Sequence, residues 1–265
     1  MQLTELNIFP IKSTAPIRLA MAEVSKHGLQ WDRRWMLVDA DGLFITGRKF
    51  PQLTKIQTAV HKDSLAVFAP GMETLHIPFD FPFAIKRSVR VWKDICEVPA
   101  YGAAIDDWFS TFLTSPCHLV YMPDDYVRPV DRTYAGPTDQ TSFSDGFPLL
   151  LISQSSLADL NSHLETPVIM DRFRPNLVVH GCDAYAEDQW QQIRVGEAIF
   201  KVVKPCSRCI FTTVDPASGV RNLDGEPLKT LSSYRKRADG KVYFGQNLLI
   251  VQKGRIKIGD AVELC

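Results

Sequence analysis

Tyr243 to Leu264 reads YFGQNLLIVQKGRIKIGDAVEL. Short apolar runs and alternations flank a Lys-Gly pair, a pattern that predicts two or three strands joined by tight turns. The same plan extends toward the N-terminus. IRVGEAIFKVVKP, Ile193 to Pro205, reads as a hairpin around Val195-Gly196-Glu197, and RPNLVVHG, Arg174 to Gly181, as one strand.

The first hundred residues repeat this strand-rich texture. LTELNIFPIKS, Leu3 to Ser13, alternates apolar and polar positions and ends in a Pro-Ile-Lys-Ser loop. RWMLVDADGLFIT, Arg34 to Thr46, predicts two strands around Asp-Ala-Asp-Gly, and KIQTAVHKDSLAVFAP, Lys55 to Pro70, a second hairpin. VRVWKDICEVPAYG, Val89 to Gly102, adds a strand or a pair. Three helices are expected. Ala103–Thr114 sets Ile105, Trp108, Phe109 and Phe112 on one face, as in an ordinary core helix. Ser153–Leu164 has Ser153 or Ser155 as N-cap and Leu157, Leu160 and Leu164 as its apolar face; Leu228–Arg237 is the third and shortest. The expected class is mainly β with a few helices (α+β), a β-barrel-like first part followed by a second β-barrel.

The chain has 265 residues, 45% of them hydrophobic, enough for one large domain or two small ones. Asp124–Gly146 is polar, rich in Gly, Pro, Ser and Thr, and too long for an idle connection. It sets a boundary near its start, between residues 1–120 and residues 121–265. Lys plus Arg balance Asp plus Glu at 30 each, so no global charge draws the protein to a nucleic acid polymer or an acidic membrane. The N-terminus lacks the basic start and apolar run of a signal peptide, and FPLLLI, Phe147 to Ile152, is too short to span a bilayer. A cytoplasmic location and reduced cysteines are the expectation.

KPCSRCIFTTVDP, Lys204 to Pro216, carries Cys206 and Cys209. A structural zinc or iron–sulfur site calls for about four ligands, and one pair supplies two. A thioredoxin-like pair calls for a helix after it, but a β-branched, turn-like run follows. The remaining reading uses one cysteine as a thiolate metal ligand beside the cations Lys204 and Arg208.

Several ordered motifs decide among these readings. VVKPCSRCIFTTVDP, FRPNLVV, EPLKTL, FGQNLL and GRIKIGDAVEL, in this order, resemble the MOSC-domain proteins. The resemblance is to the branch of the mitochondrial amidoxime-reducing component and bacterial relatives that detoxify N-hydroxylated bases. IFPIKS and DRRWMLVDADGLFITGRKFPQL resemble the N-terminal β-barrel domain of that branch, so the match spans essentially the whole chain.

The resemblance implies the molybdenum cofactor, a molybdopterin dithiolene with a phosphate tail. It makes Cys209 the molybdenum ligand and the catalytic cysteine, and leaves Cys206 to pack or support it from behind. The family's cofactor contacts fall on Lys12 and Ser13, on Arg33, on Arg174 and Asn176, and on Ser207 and Arg208. Asn247 stands where the mitochondrial form has an aromatic residue. Lys12, Arg33, Arg174 and Arg208 would neutralise phosphate and anionic oxygens, and Asn176 would offer its amide to the pterin edge. Asp215 would orient the thiolate loop or start the turn before Pro216.

The activity so implied is two-electron reduction of small N-hydroxylated substrates: hydroxylamines, amidoximes and N-hydroxylated nucleobases. Some bacterial relatives carry a ferredoxin domain after the barrel, whereas this chain ends at Gly-Asp-Ala-Val-Glu-Leu-Cys, and Cys265 alone cannot hold a cluster. A separate ferredoxin-like electron donor with its reductase is therefore expected. Two alternatives accompany this reading. One is sulfur transfer, as in the MOSC portion of cofactor sulfurases, with a partner in place of the pyridoxal phosphate desulfurase domain. The other is a non-catalytic cofactor carrier.

Overall fold

A computed structural model describes residues 1–265. The opening alternation forms β1 (Gln2–Ile8), which buries Leu3, Leu6 and Ile8. The short strands β2 (Ile17–Arg18), β3 (Met21–Ser25) and β4 (Gly28–Leu29) follow. β5 (Trp35–Val38) is buried at every position. The expected second hairpin is β6 (Gln57–Val60) with β7 (Ser64–Phe68), widened by β8 (Leu75–Pro78). β9 (Ile85–Val91) and β10 (Asp94–Ala100) pair without a bulge around Trp92-Lys93.

α1 (Ala103–Leu113) buries Ile105, Phe109 and Leu113, while Trp108 and Phe112 are half-buried at its edge. β11 (His118–Tyr121) precedes a long stretch without regular elements, and β12 (Leu149–Ser153) begins the second half. α2 (Gln154–Ser162) is capped by Ser153, whose Oγ accepts from Ser156 N at 3.0 Å. After β13 (Leu177–His180), β14 (Gln192–Val195) and β15 (Ala198–Arg208) make the predicted hairpin. α3 (Leu228–Tyr234), β16 (Val242–Gln252), β17 (Gly254–Lys257) and β18 (Val262–Leu264) complete the chain.

One eight-stranded sheet, ordered β18-β14-β15-β16-β12-β13-β1-β2, curls into a half-barrel. Its inner layer packs Leu3, Leu6, Leu149, Phe200 and Leu248 together, and α2 and α3 cover another face at Leu160 and Leu231. The sheets β5-β11-β10-β9 and β6-β7-β8 surround α1. β1 hydrogen-bonds to β13, and β3 pairs with β17, so the first thirty or so residues complete sheets built by the C-terminal half. Hydrogen bonding thus crosses the division at residue 120.

Two readings change. The second arm predicted after Asp-Ala-Asp-Gly is no regular strand: it makes bridges, Val38 to Phe44 and Leu43 to Arg90. Gly42 presses against β9, where a Cβ would meet Ser88 O at 2.4 Å, so the arm divides its bonds between β9 and the end of β5, where Ile45 N donates to Leu37 O at 2.8 Å. FPLLLI, noted only for its hydrophobicity, supplies β12, sandwiched between β16 and β13 and buried at all positions. A continuous apolar run is what a strand covered on both faces requires.

Candidate active site

Chain segments distant in sequence meet at the mouth of the half-barrel. The residues singled out from the sequence line one cavity there, except Asp215 and Lys204. The loop after β1 contributes Lys12 and Ser13. Ser13 adopts φ 75°, and its Oγ accepts from Gly47 N at 3.1 Å. Lys12 is buried, and its Nζ donates to Phe143 O at 2.8 Å and to Asp145 Oδ1 at 2.5 Å. Burial lowers its pKa, with Asp145 pulling the other way. The charge of Lys12 thus already has a carboxylate partner within the chain.

Arg33 follows the fully buried Asp32, whose Oδ1 accepts from Phe9 N at 2.8 Å and whose Oδ2 accepts from Arg33 at 2.5 Å. Arg33 also donates to Asn176 Oδ1 at 2.8 Å. Arg174 lies opposite in sequence but adjacent in space: the guanidinium carbons of Arg33 and Arg174 sit 4.5 and 4.1 Å from the Phe9 ring centre. Arg174 donates to a carbonyl, Thr14 O at 2.6 Å, and joins no ion pair. Burial, then the neighbouring Arg33, lowers its pKa to about 9. Of the two cations on one ring, Arg33 alone has an ion pair, with Asp32, a setting that favours a bound anion at Arg174.

Asn176 lines the cavity and is already bonded within the protein. Its Oδ1 accepts from Arg33 and from Leu150 N at 3.2 Å, and its Nδ2 donates to Asn7 O at 3.0 Å. The amide thus positions Arg33 from the cavity wall, and one of its two N–H groups is engaged by Asn7 O.

The β15–β16 ladder delivers the cysteines. It is broken by bulges between Val202 and Lys204 and between Pro205 and Ser207. Gly245 at φ 80° lets β16 approach β12; a Cβ there would stand 2.5 Å from Ile152 Cγ1. Asn247 Nδ2 donates to Lys204 O at 3.1 Å and fixes the register beside the first bulge. Ser207 is exposed on the ladder. Arg208 donates to Phe173 O at 2.7 Å and to Cys206 Sγ at 3.0 Å, while its buried Nε has no partner. Cys206 also packs against the apolar layer that contains Phe173.

Cys209 ends the strand and opens the turn Ile210–Thr213, with Thr212 N and Oγ1 both donating to its carbonyl. Its thiol is free and exposed. Flanking charge acts differently from the sequence expectation. Arg208 addresses Cys206, and Lys204 lies 4.3 Å over the Tyr134 ring. Asp215 stands outside the cavity. Its Oδ1 accepts from Ser218 N and Oγ, both at 2.9 Å, and its Oδ2 from Arg172 at 3.2 Å. Those bonds, the Ser218 amide first, hold its carboxyl below the ordinary range. Asp215 therefore forms the turn and steadies Arg172, which lines the cavity and also binds Thr213 O.

Sequence reasoning passed over Phe9, the platform under both arginines, and Arg172, two residues before Arg174 in Asp-Arg-Phe-Arg. The long polar loop marked in the sequence closes the site. Arg128 gathers that loop by donating to Ser142 O and Ser144 O at 2.6 and 2.7 Å, which sets Asp145 and Phe147 on the cavity wall. A second, wider trough adjoins the first cavity and shares Cys209 with it.

The residues fit an anionic cofactor with a soft-metal centre. The uncompensated Arg174, the orphaned Arg208 Nε and the exposed Cys209 thiol supply cationic donors and a soft ligand at one cavity.

Comparison with known proteins agrees with this geometry. Residues 1–116 match the MOSC N-terminal beta barrel domain, and residues 138–263 match the MOSC domain. Mitochondrial amidoxime-reducing component 1 of Homo sapiens is 38% identical over 98% of this chain and 82% of its own length. Mitochondrial amidoxime reducing component 2 of Bos taurus is 34% identical, over 98% and 82%. Component 1 of Danio rerio is 32% identical, over 98% and 83%. The chain belongs to the MOSC-domain family, in the branch that contains the mitochondrial amidoxime-reducing components.

Proposed function

We propose that this protein is a molybdenum-cofactor-dependent reductase of N-hydroxylated compounds. The observation that carries the reading is the position of Cys209: a free thiol where a cation-lined cavity opens into a wider trough. The kinship with proteins named amidoxime-reducing components supports it.

Arg33, Arg174 and Arg208 would hold the cofactor's anionic groups, with Lys12, Ser13, Ser207 and Asn247 bordering it. Cys209 would be the protein's molybdenum ligand. When bound, the cofactor supplies two-electron oxygen-atom chemistry. The net conversion is R–NHOH plus two electrons and two protons to R–NH2 plus water. Asp32 fixes Arg33, Asn176 fixes it again, and Phe9 carries both arginines, so the charge is in place before any ligand arrives. Electrons come from a separate ferredoxin-like donor with its reductase, and the reaction takes place in the cytoplasm.

Protein expressed in a molybdenum-replete host is assayed for metal, pterin, and reduction of benzamidoxime by a reduced dye. About one molybdenum per chain with turnover is expected. Molybdenum without turnover would favour a carrier or sulfuration role; no molybdenum would remove the reading.

A further inference from the structure

The outer trough carries an imbalance of charge in a chain whose net charge is zero. Its acids are all paired: Asp145 with Lys12, Asp94 with Arg128 at 2.8 Å, and Asp131 with Lys93 at 3.7 Å. Three half-buried cations of the trough have no carboxylate within ion-pair distance, and one of them, Arg208, is bonded to Phe173 O and Cys206. The other two are Lys204 on β15, which lines the trough alone, and Arg48 on the loop that follows β5, which stands where the trough meets the first cavity.

Neither side chain is loose. Lys204 Nζ lies 4.3 Å from the Tyr134 ring centre and 5.9 Å from that of Phe147. The Arg48 guanidinium carbon lies 4.5 Å from the Trp92 ring centre, and Trp92 is tethered by Nε1 to Asp145 Oδ1 at 3.2 Å. An aromatic face holds a cation in place but does not neutralise it. The result is a pair of ordered cations, neither in an ion pair, in the same trough as Cys209. Because the charges line a concavity, they suit a small anion more than a flat protein surface.

We propose that this trough is an anion subsite for the substrate, which takes the phosphate of an N-hydroxylated nucleotide while the modified base reaches Cys209. The substrate class is then the nucleoside monophosphate, preferred over the free base or nucleoside. A phosphate dianion matches two cations lining one trough, and a lysine–arginine pair supplies both a point charge and a planar fork. This inference rests on the reductase reading above.

The test compares N4-hydroxycytidine with its 5′-monophosphate, using cofactor-loaded protein and a small-molecule reductant. The monophosphate should show a KM roughly tenfold lower, about the effect of one charge-assisted contact, and the advantage should shrink as salt rises. Lys204→Met and Arg48→Met should each remove most of that advantage, with nucleoside kinetics and molybdenum content unchanged. Calorimetric binding of cytidine 5′-monophosphate against cytidine supplies a readout that needs no turnover. If no N-hydroxylated compound is reduced, the reductase reading fails, and the calorimetry still decides the subsite. Equal affinity for phosphorylated and unphosphorylated ligands would overturn the proposal. Loss of molybdenum in both variants would assign the cations to the cofactor and overturn it too. Impairment confined to turnover driven by a protein donor would assign them to donor docking, with the same consequence.

Discussion

Arg33 Nη1 donates to Asn176 Oδ1 at 2.8 Å, across 143 residues of chain. The bond ties the Asp32-Arg33 turn to the entry of β13, and the same amide serves Leu150 N and Asn7 O. Asn176 is fully buried, so removing its amide strands several polar groups at once. Asn176→Ala should lower unfolding free energy by about 2–4 kcal/mol, read from the denaturant midpoint. It should also reduce molybdenum content, because Arg33 loses an anchor. A variant as stable and as fully loaded as the parent would contradict this placement.

Arg174 makes a prediction about pH. Its pKa is lowered to about 9 by burial and by Arg33, so the protonated form carries a penalty in the folded apoprotein. The penalty is present below about pH 9 and is relieved as pH rises toward the ordinary arginine range. A bound anion relieves it by another route. Inorganic phosphate should therefore raise the apoprotein's Tm at pH 7–8, and the increment should decline above pH 9. Arg174→Gln should abolish the increment; an equal increment in the variant would place the anion elsewhere.

Cys209 and Cys206 should separate cleanly. Cys209 is exposed, so Cys209→Ser should change stability by less than about 0.5 kcal/mol while abolishing reduction of N-hydroxylated substrate. Cys206 accepts from Arg208 and packs in the apolar layer. Cys206→Ala should retain turnover with a modest loss of stability, about 1 kcal/mol. Retained activity in Cys209→Ser would sink the assignment of the ligand.

Gly245 is required by geometry. At φ 80° its missing side chain makes room for Ile152 Cγ1 and Leu151 O, 2.5 and 2.8 Å from an ideal Cβ. Gly245→Ala should cost about 3 kcal/mol and shift Asn247 away from Lys204 O. Thermal unfolding measures the first effect, and altered molybdenum content reports the second.

Local patterns reached far into the molecule. Hairpin signals placed β6–β7 and β14–β15, helical spacing placed α1 and α2, and Ser153 is the N-cap. Ordered motifs singled out the residues of the cavity because each is marked by its immediate neighbours in the chain. The Leu43–Thr46 arm returns along the end of β5 as the turn signal predicts, but it also bonds to β9, nearly fifty residues away, which no local pattern marks.

What the sequence determined by itself is therefore what periodicity, capping and short motifs encode: the strand-rich class, the family and the cysteine pair. Tertiary structure alone decided which charges are already spent. Lys12 meets Asp145 and Asn176 meets Arg33 over more than a hundred residues, while Arg174, Lys204 and Arg48 rest on aromatic rings with no carboxylate in ion-pair contact. Charge compensation falls off over a few ångströms in space and takes no account of separation along the chain, so only the folded arrangement fixes where an anion is wanted.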